Sequence, residues 1–279
     1  ASGIGGTAEL RDRDGTVIDR SAHEAHVWRP KPRPSFVTVH DGDLVLDGKR
    51  WRAHGVNYMP SSGIGIEDGA FFEFWIGAAS YDPRIVQRDL DRLKEMGINA
   101  VSIFIYRESM ESQNLLDLLR RLDALDMKAN LSLRPGTPLD FQWDAMREPI
   151  EYYRLAQNDT VFAYDLAWEP MFGNQAERRP YDAQWRAWID ERYGGVESAE
   201  RVWAYAAPRD EAGAVTGPPG EQFAEDGPWR VMVAAYRRFL DTLLYEKYSQ
   251  ARRLVRSIDP NHAVSFRMTE AGDPTFRSA

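Results

Sequence analysis

The sequence predicts an α/β fold built on a parallel sheet, and two observations carry this prediction. Strand-like and helix-like segments alternate four times between residues 51 and 268. Alternation of this kind implies parallel pairing with right-handed crossovers. The segment from Val161 to Trp168 is almost entirely apolar, which is typical of a strand buried on both faces. Pro170 lacks a backbone donor and favours an extended residue before it, so the strand is expected to end at Glu169.

A β-rich segment, residues 1–27, precedes this alternation. Residues 7–10 and 16–19 flank an Asp-Arg-Asp-Gly sequence at 12–15, which predicts a hairpin. The two aspartates also occur in calcium loops, but the remaining acidic ligands of such a loop are missing, which favours a turn. We expect this hairpin to be the end of a β-sandwich or an appendage of the main domain. Residues 28–35 carry proline at alternate positions and predict a stiff, extended linker.

The main domain is predicted over residues 36–279 and opens with a short hairpin at 36–49. Strands are predicted over residues 51–58, 98–105, 128–133, 161–168 and 262–268. Helices are predicted over residues 83–96, 112–125, 144–156 and 229–258. The first helix is the best marked, because Asp82 is an N-cap residue, Pro83 suits the first helical position and Gly97 is a stop signal. The region from 171 to 228 is predicted to be a Trp-rich insertion.

The number of strands decides between two architectures. A (β/α)8 barrel has eight strands and typically about 250 residues, whereas five strands are predicted here. The sequence therefore predicts a (β/α)8 TIM-barrel type of fold that is incomplete, cut within the barrel and within the upstream β-rich segment. The alternative is an open five-stranded α/β sheet, which can be a complete fold.

Composition excludes several classes of function. The net charge of −8 argues against a nucleic-acid-binding protein. The chain has no cysteine, so it has neither disulfides nor a thiolate site. No apolar run approaches the roughly 20 residues of a membrane span. Neither a metal-ligand spacing nor a phosphate-binding glycine loop is present, and we predict no metal and no cofactor.

Glu169 is the leading candidate for a catalytic residue. A carboxylate at the carboxyl end of a buried parallel strand stands where barrel enzymes place their catalytic groups. The alternative is a carboxylate that ends the strand without any chemistry. Other polar residues also follow predicted strands and are expected on the same face of the sheet: Arg107, Arg134, Asn174 and Arg267.

Three motifs carry a resemblance to a known superfamily. They are Asp-Leu-Val-Leu-Asp-Gly-Lys at 43–49, His-Gly-Val-Asn-Tyr at 54–58 and Tyr-Asp-Leu-Ala-Trp-Glu-Pro at 164–170. Together they resemble the retaining (β/α)8-barrel glycoside hydrolases, the superfamily of cellulases, β-mannanases and β-galactosidases. The resemblance covers residues 36–270, the first five barrel strands. Residues 185–194 also resemble the Trp-rich segment after strand four in β-galactosidase-like members.

The resemblance implies a function and a set of roles. Glu169 would be the general acid/base, which protonates the glycosidic oxygen and then activates water. Asn57, Tyr58 and Trp168 would contact the sugar, together with the four strand-end residues named above. The implied partner is a carbohydrate with β-linkages, and the implied location is secreted or periplasmic.

Three departures from the superfamily pattern affect these roles. Trp168 stands where the superfamily has asparagine, and Ser102 stands where an arginine often lies within strand two. The nucleophilic glutamate of the superfamily belongs at the end of strand seven, which this chain does not reach. Glu270, after strand five, is the other strand-end glutamate and the candidate within this chain, but strand five is the wrong place in that superfamily. We therefore expect the second carboxylate to lie in the missing part of the barrel. These departures support an alternative, a non-catalytic carbohydrate-binding protein on a degenerate barrel. Besides the carbohydrate, the expected partner is the missing remainder of the barrel or, alternatively, further copies of the chain in a homo-oligomer.

Overall fold

The computed structural model describes residues 3–60, 74–78, 80–105, 113–133, 142–168 and 174–267, except the side chains of His23, Trp168 and Arg267. The strands are β1 (Gly3–Arg11), β2 (Val17–His26), β3 (Thr38–His40), β4 (Asp43–Leu46), β5 (Lys49–Arg50), β6 (Gly55–Asn57), β7 (Ala100–Phe104), β8 (Lys128–Ser132), β9 (Val161–Trp168) and β10 (Ala263–Arg267). The α-helices are α1 (Pro83–Glu95), α2 (Asn114–Ala124), α3 (Trp143–Tyr152), α4 (Gln175–Arg178), α5 (Asp182–Tyr193), α6 (Val196–Trp203), α7 (Gly220–Ala224) and α8 (Arg230–Ile258).

Five parallel strands form the main sheet, in the order β10-β9-β8-β7-β6. Each strand lies beside the one that precedes it in sequence, so every crossover steps in the same direction. A doubly wound sheet instead contains a point at which the strand order reverses. The observed order is that of consecutive strands in a (β/α)8 barrel. The predicted fold class is confirmed.

The first strand of this sheet depends on a glycine. In β6, Gly55 pairs with Ala100 of β7, and Asn57 pairs with Ser102. A Cβ atom on Gly55 would lie 2.9 Å from the carbonyl oxygen of Ala100, closer than real Cβ contacts come. The absence of a side chain therefore lets β6 and β7 approach to hydrogen-bonding distance.

The helices begin and end largely where the sequence predicts them. The Asp82 carboxylate caps α1 by accepting from the backbone N–H of Arg84 at 2.9 Å, and Gly97 takes a positive φ just after the helix. The buried face of α2 consists of leucines three or four residues apart: Leu115, Leu118, Leu119 and Leu122. Of the helices that the structure describes, none is long and apolar enough to cross a membrane, α8 included.

The chain divides into two compact units. The first comprises Ala1–Leu131, Glu151–Phe162 and Asn261–Ala263, and the second comprises Ser132–Ile150, Ala163–Pro260 and Val264–Ala279. The division runs through β8, β9 and β10 and does not follow the predicted domain limits at residues 27 and 35. Those limits stay predictions.

The amino-terminal hairpin forms as expected, with longer strands. β1 and β2 pair antiparallel from Gly3 opposite His26 to Arg11 opposite Val17. Asp12 Oδ1 accepts from the backbone N–H of Thr16 at 2.8 Å and also from that of Asp14, which closes the turn. The predicted turn is confirmed.

A buried carboxylate anchors the Pro-rich segment that follows the hairpin. Asp159, whose side chain is 5% exposed, lies 3.0 Å from Lys31 Nζ and accepts from the backbone N–H of Ser35 at 2.8 Å. Lys128 Nζ donates to the Asp159 carbonyl, and burial lowers the pKa of Lys128. Lys31 also reaches Asp123 on α2. The segment predicted as a spacer is therefore bound against the amino ends of β8 and β9.

The second unit contains an aromatic core built from the insertion and α8. Trp185 of α5 stacks on Trp203 of α6, with ring centroids 5.8 Å apart, and makes edge contact with Tyr236 of α8. All three side chains are at most 1% exposed. Trp185 and Trp203 of the insertion are therefore core residues of the second unit.

We predict that Asp159→Ala lowers the free energy of unfolding by about 3 kcal/mol, because it removes the buried carboxylate that pairs with Lys31 and accepts from the backbone N–H of Ser35. Urea denaturation measures the change. Asp123→Ala is the matched control, since it also contacts Lys31 but its side chain is 40% exposed. Asp123→Ala should lower the free energy of unfolding by less than about 1 kcal/mol. Equal losses in both variants would contradict the anchoring role.

Gly55→Ala should lower the free energy of unfolding by about 1–3 kcal/mol, because the added methyl group forces β6 away from the Ala100 carbonyl. Gly220→Ala serves as the control, as nothing lies within 4 Å of its Cβ position. Thermal unfolding followed by circular dichroism compares the two. If Gly55→Ala left the free energy of unfolding unchanged, the close approach of β6 and β7 would not contribute to stability.

Candidate active site

The predicted acid directly follows β9, the strand between β8 and β10 in the main sheet. Glu169 itself lies outside the described residues, as do Glu270, Arg107 and Arg134. The roles predicted for these four side chains, and for those of Trp168 and Arg267, therefore stay predictions. The structure does describe the strands that these residues end or follow.

β9 is held firmly close to its carboxyl end. Leu166 and Ala167 are fully buried, and the backbone N–H of Leu133 donates to the carbonyl of Asp165 at 3.0 Å. The Tyr164 hydroxyl donates to Asp259 Oδ2 at 2.6 Å. Burial, followed by the charge of Asp259, raises the pKa of Tyr164 well above its usual value. These contacts fix the point from which the chain leaves the sheet towards the acid.

β9 itself contains a carboxylate, Asp165, which the sequence analysis does not single out. Asp165 is 1% exposed. The bond from Leu133 N–H to the Asp165 carbonyl follows the pattern that pairs Asn57 with Ser102, so it pairs Ser132 with Asp165 on one face of the sheet. The signal that could have found Asp165 is an acid inside an otherwise apolar strand.

Tyr248 of α8 belongs to the same polar surroundings. Burial, followed by the charge of Asp165, raises the pKa of the Tyr248 hydroxyl. The Tyr248 ring stacks on Phe266 of β10, with centroids 3.9 Å apart. Polar groups therefore lie within β9, at Asp165, and beside β10, at Tyr248, where the sequence predicts apolar packing alone.

Asn57 and Tyr58 were both expected to face the sugar, but the structure gives them different surroundings. Asn57 is exposed at the end of β6. Tyr58 is 4% exposed and packs edge-on against Trp75, with centroids 5.5 Å apart. Burial, followed by the nearby carboxylate of Asp89 on α1, raises the pKa of Tyr58.

These are the surroundings of a core residue, and the sugar contact of Tyr58 stays a prediction. Successive side chains of a strand point to opposite faces, so Asn57 and Tyr58 are expected on different sides of the sheet. Tyr58 is a core residue on the α1 side of the sheet, together with Trp75, a fully buried tryptophan. The sugar contact of Asn57 stays a prediction.

Asn174 begins the helix that follows the acid-bearing segment. Its Oδ1 accepts from the backbone N–H groups of Ala176 and Glu177, and Glu177 Oε2 accepts from the Asn174 N–H at 2.6 Å. This reciprocal pair is a capping box, which gives α4 a defined start. Asn57 belongs to the first compact unit and Asn174 to the second. Substrate binding by Asn174 stays a prediction.

The first unit contains a large open groove of about 2360 Å³, lined by β2, α1, α2 and residues 157–160. Residues 157–160 precede β9, so the groove lies at the amino end of that strand, opposite to the end that bears Glu169. Its walls carry charges of both signs, including Arg88, Arg120 and Asp117. Among the described residues, no group of three or more His, Asp or Glu side chains is placed to hold a metal ion.

Comparison with known proteins finds solved structures of glycoside hydrolases. A cold-adapted β-galactosidase from Rahnella sp. R3 has a TM-score of 0.48 and 16% identity, over 66% of this chain and 33% of that enzyme. An endo-1,4-β-mannanase from Eisenia fetida has a TM-score of 0.43 and 12% identity, over 83% and 61% of the two chains. An endo-1,4-β-mannanase from Rhizomucor miehei has a TM-score of 0.38 and 12% identity, over 84% and 90%.

The chain thus spans about a third of the length of the β-galactosidase. No protein-family model and no curated protein sequence matches it. The chain resembles (β/α)8-barrel glycoside hydrolases in structure.

Proposed function

We propose that this protein hydrolyses β-glycosidic bonds in an oligo- or polysaccharide by a retaining mechanism, with Glu169 as the acid/base. One observation carries the proposal: a carboxylic acid directly follows a buried inner strand of a parallel sheet that has the strand order of a barrel. In (β/α)8 enzymes the catalytic groups stand at this end of the strands.

The chemistry requires two carboxyl groups. In its acid form Glu169 protonates the glycosidic oxygen as the bond to the sugar breaks, and its carboxylate later takes a proton from water. A retaining enzyme also needs a nucleophilic carboxylate about 5–5.5 Å from the acid. Glu270 is our candidate, because it follows β10, the strand beside β9. Neighbouring strands lie about 4.8 Å apart, which is compatible with that spacing.

Polar and aromatic side chains at the strand ends would bind the sugar. We assign this role to residues at or after the ends of β6 to β10: Asn57, Arg107, Arg134, Trp168, Asn174 and Arg267. Arginine and amide groups donate hydrogen bonds to hydroxyl oxygens, and an indole ring offers an apolar face to a pyranose. A polymeric carbohydrate substrate agrees with a secreted or periplasmic location, which belongs to the same proposal.

A non-catalytic carbohydrate-binding protein is the second candidate function. Two sequence features favour it: Trp168 precedes the acid in place of asparagine, and Ser102 occupies β7 where the superfamily often has arginine. In the structure Ser102 pairs with Asn57 at the carboxyl end of β6, so the position is part of the same strand end. A protein of this kind would keep the sugar-binding groups and lack turnover.

We predict that Glu169→Gln lowers turnover by about 10²–10⁴-fold, the usual contribution of a general acid. The assay is reducing-sugar release from a panel of β-glucans, mannans and galactans. Glu177→Gln is the control, because it makes the same chemical change nearby and glutamine also serves in a capping box. The control should retain wild-type activity.

The binding function predicts a different pattern in the same experiment. Neither the wild type nor Glu169→Gln would release sugar, and both would bind one of the polysaccharides with the same affinity in titration calorimetry. That result would contradict the hydrolase proposal.

A further inference from the structure

The amino-terminal hairpin presents an open strand edge. β1 bonds to β2 along one edge, and within the described residues no strand pairs with its other edge. All nine residues of β1 are exposed, including Ile4 at 66% and Leu10 at 61%. β1 contains neither proline nor lysine, two residues that natural proteins use to block edge pairing, and its two charged residues, Glu9 and Arg11, pair with each other. Such an edge is a template for another strand.

The two faces of the hairpin differ. On one face Glu9 forms ion pairs with Arg20 at 2.6 Å and Arg11 at 2.5 Å. The other face carries the side chains of the even-numbered residues of β1, among which Ile4 and Leu10 are large and apolar. A two-stranded hairpin is marginally stable by itself, and added strands with a shared apolar face stabilise it. The hairpin therefore gains most from a partner strand that extends its even-numbered face.

β1 is complementary to itself. Thr7 is the midpoint of Gly3–Arg11, so an antiparallel pairing about a two-fold axis at Thr7 uses all nine residues of both strands. In that register Ile4 stands opposite the partner's Leu10, and the reverse pair forms on the other side of the axis. Directly opposite apolar side chains on one face are the pairs that stabilise antiparallel sheets.

The charged residues fit the same register. Glu9 would stand opposite the partner's Gly5, and Arg11 opposite the partner's Gly3, so no like charges meet. Thr7 would stand opposite the partner's Thr7, and threonine pairs of this kind can hydrogen-bond across a sheet. The register that pairs all nine residues therefore places no like charges opposite each other.

We propose that β1 binds β1 of a second copy of this chain, forming a four-stranded antiparallel sheet in the order β2-β1-β1-β2. The contact is isologous, with the same strand contributed by both copies about one two-fold axis, which closes the assembly at a dimer. This proposal is independent of the proposed glycosidase activity.

Two double variants of the whole chain test the register. In I4K/L10K the introduced lysines face each other across the interface twice. In I4E/L10K each lysine faces a glutamate instead. Both variants share the change at position 10, where the neighbour on β2 is Asp19, and they differ only in the sign of the charge at position 4. Circular dichroism verifies that both retain the wild-type fold.

Sedimentation equilibrium over a wide range of protein concentration gives the result. We expect a dimer for the wild type and for I4E/L10K, and a dimer dissociation constant raised by about tenfold or more for I4K/L10K. Ile18→Lys, on β2 outside the interface, should leave the dimer intact. A monomeric wild type at every concentration would overturn the proposal, as would equal dissociation of the two double variants.

Discussion

The carboxylate of Asp159 is the buried charge that ties the Pro-rich segment to the start of β9. Three polar residues in a row, Asn158, Asp159 and Thr160, are each at most 4% exposed just before β9 begins. Burying such groups is costly unless they are hydrogen-bonded. Asp159 meets this requirement by joining the Pro-rich segment, through Lys31 and Ser35, to the start of the strand.

The same three residues fix the register of β9. The Thr160 carbonyl accepts from Ala129 of β8 at 2.8 Å, and the Asn158 carbonyl lies 3.1 Å from a ring nitrogen of His262, next to β10. A slip of one residue would turn every side chain of the strand to the opposite face. β9 is thus held just before its start by Asp159 and near its middle by the hydrogen bond from Tyr164 to Asp259. The proposed chemistry depends on the position of this strand, because Glu169 directly follows it.

Much of the fold could be predicted because its signals are local. The start of α1 follows from Asp82 and Pro83, and its end from Gly97; each acts through the conformation of one or two residues. The buried strand β9 follows from a run that is apolar except for Asp165. The strand order of the sheet follows from alternation of strands and helices together with the preference for right-handed crossovers.

Contacts between residues far apart in sequence could not be predicted. The motif at 54–58 gives no sign that Tyr58 packs on Trp75 and lies near Asp89. The composition of the Pro-rich segment gives no sign of its anchor, which lies 124 residues further along at Asp159. Asp165 and Tyr248 became neighbours only when α8 packed on the sheet. None of these contacts leaves a local pattern.

Azide rescue of Glu169→Ala tests whether Glu169 carries the proton. An acid/base residue matters little for a substrate whose leaving group departs without protonation, and azide can replace water without a base to activate it. We expect Glu169→Ala to lose turnover on aryl β-glycosides with poor leaving groups and to keep bond cleavage on those with good ones. We also expect azide to restore turnover and to yield a β-glycosyl azide. Equal loss on both kinds of substrate, with no azide product, would show that Glu169 does not carry the proton.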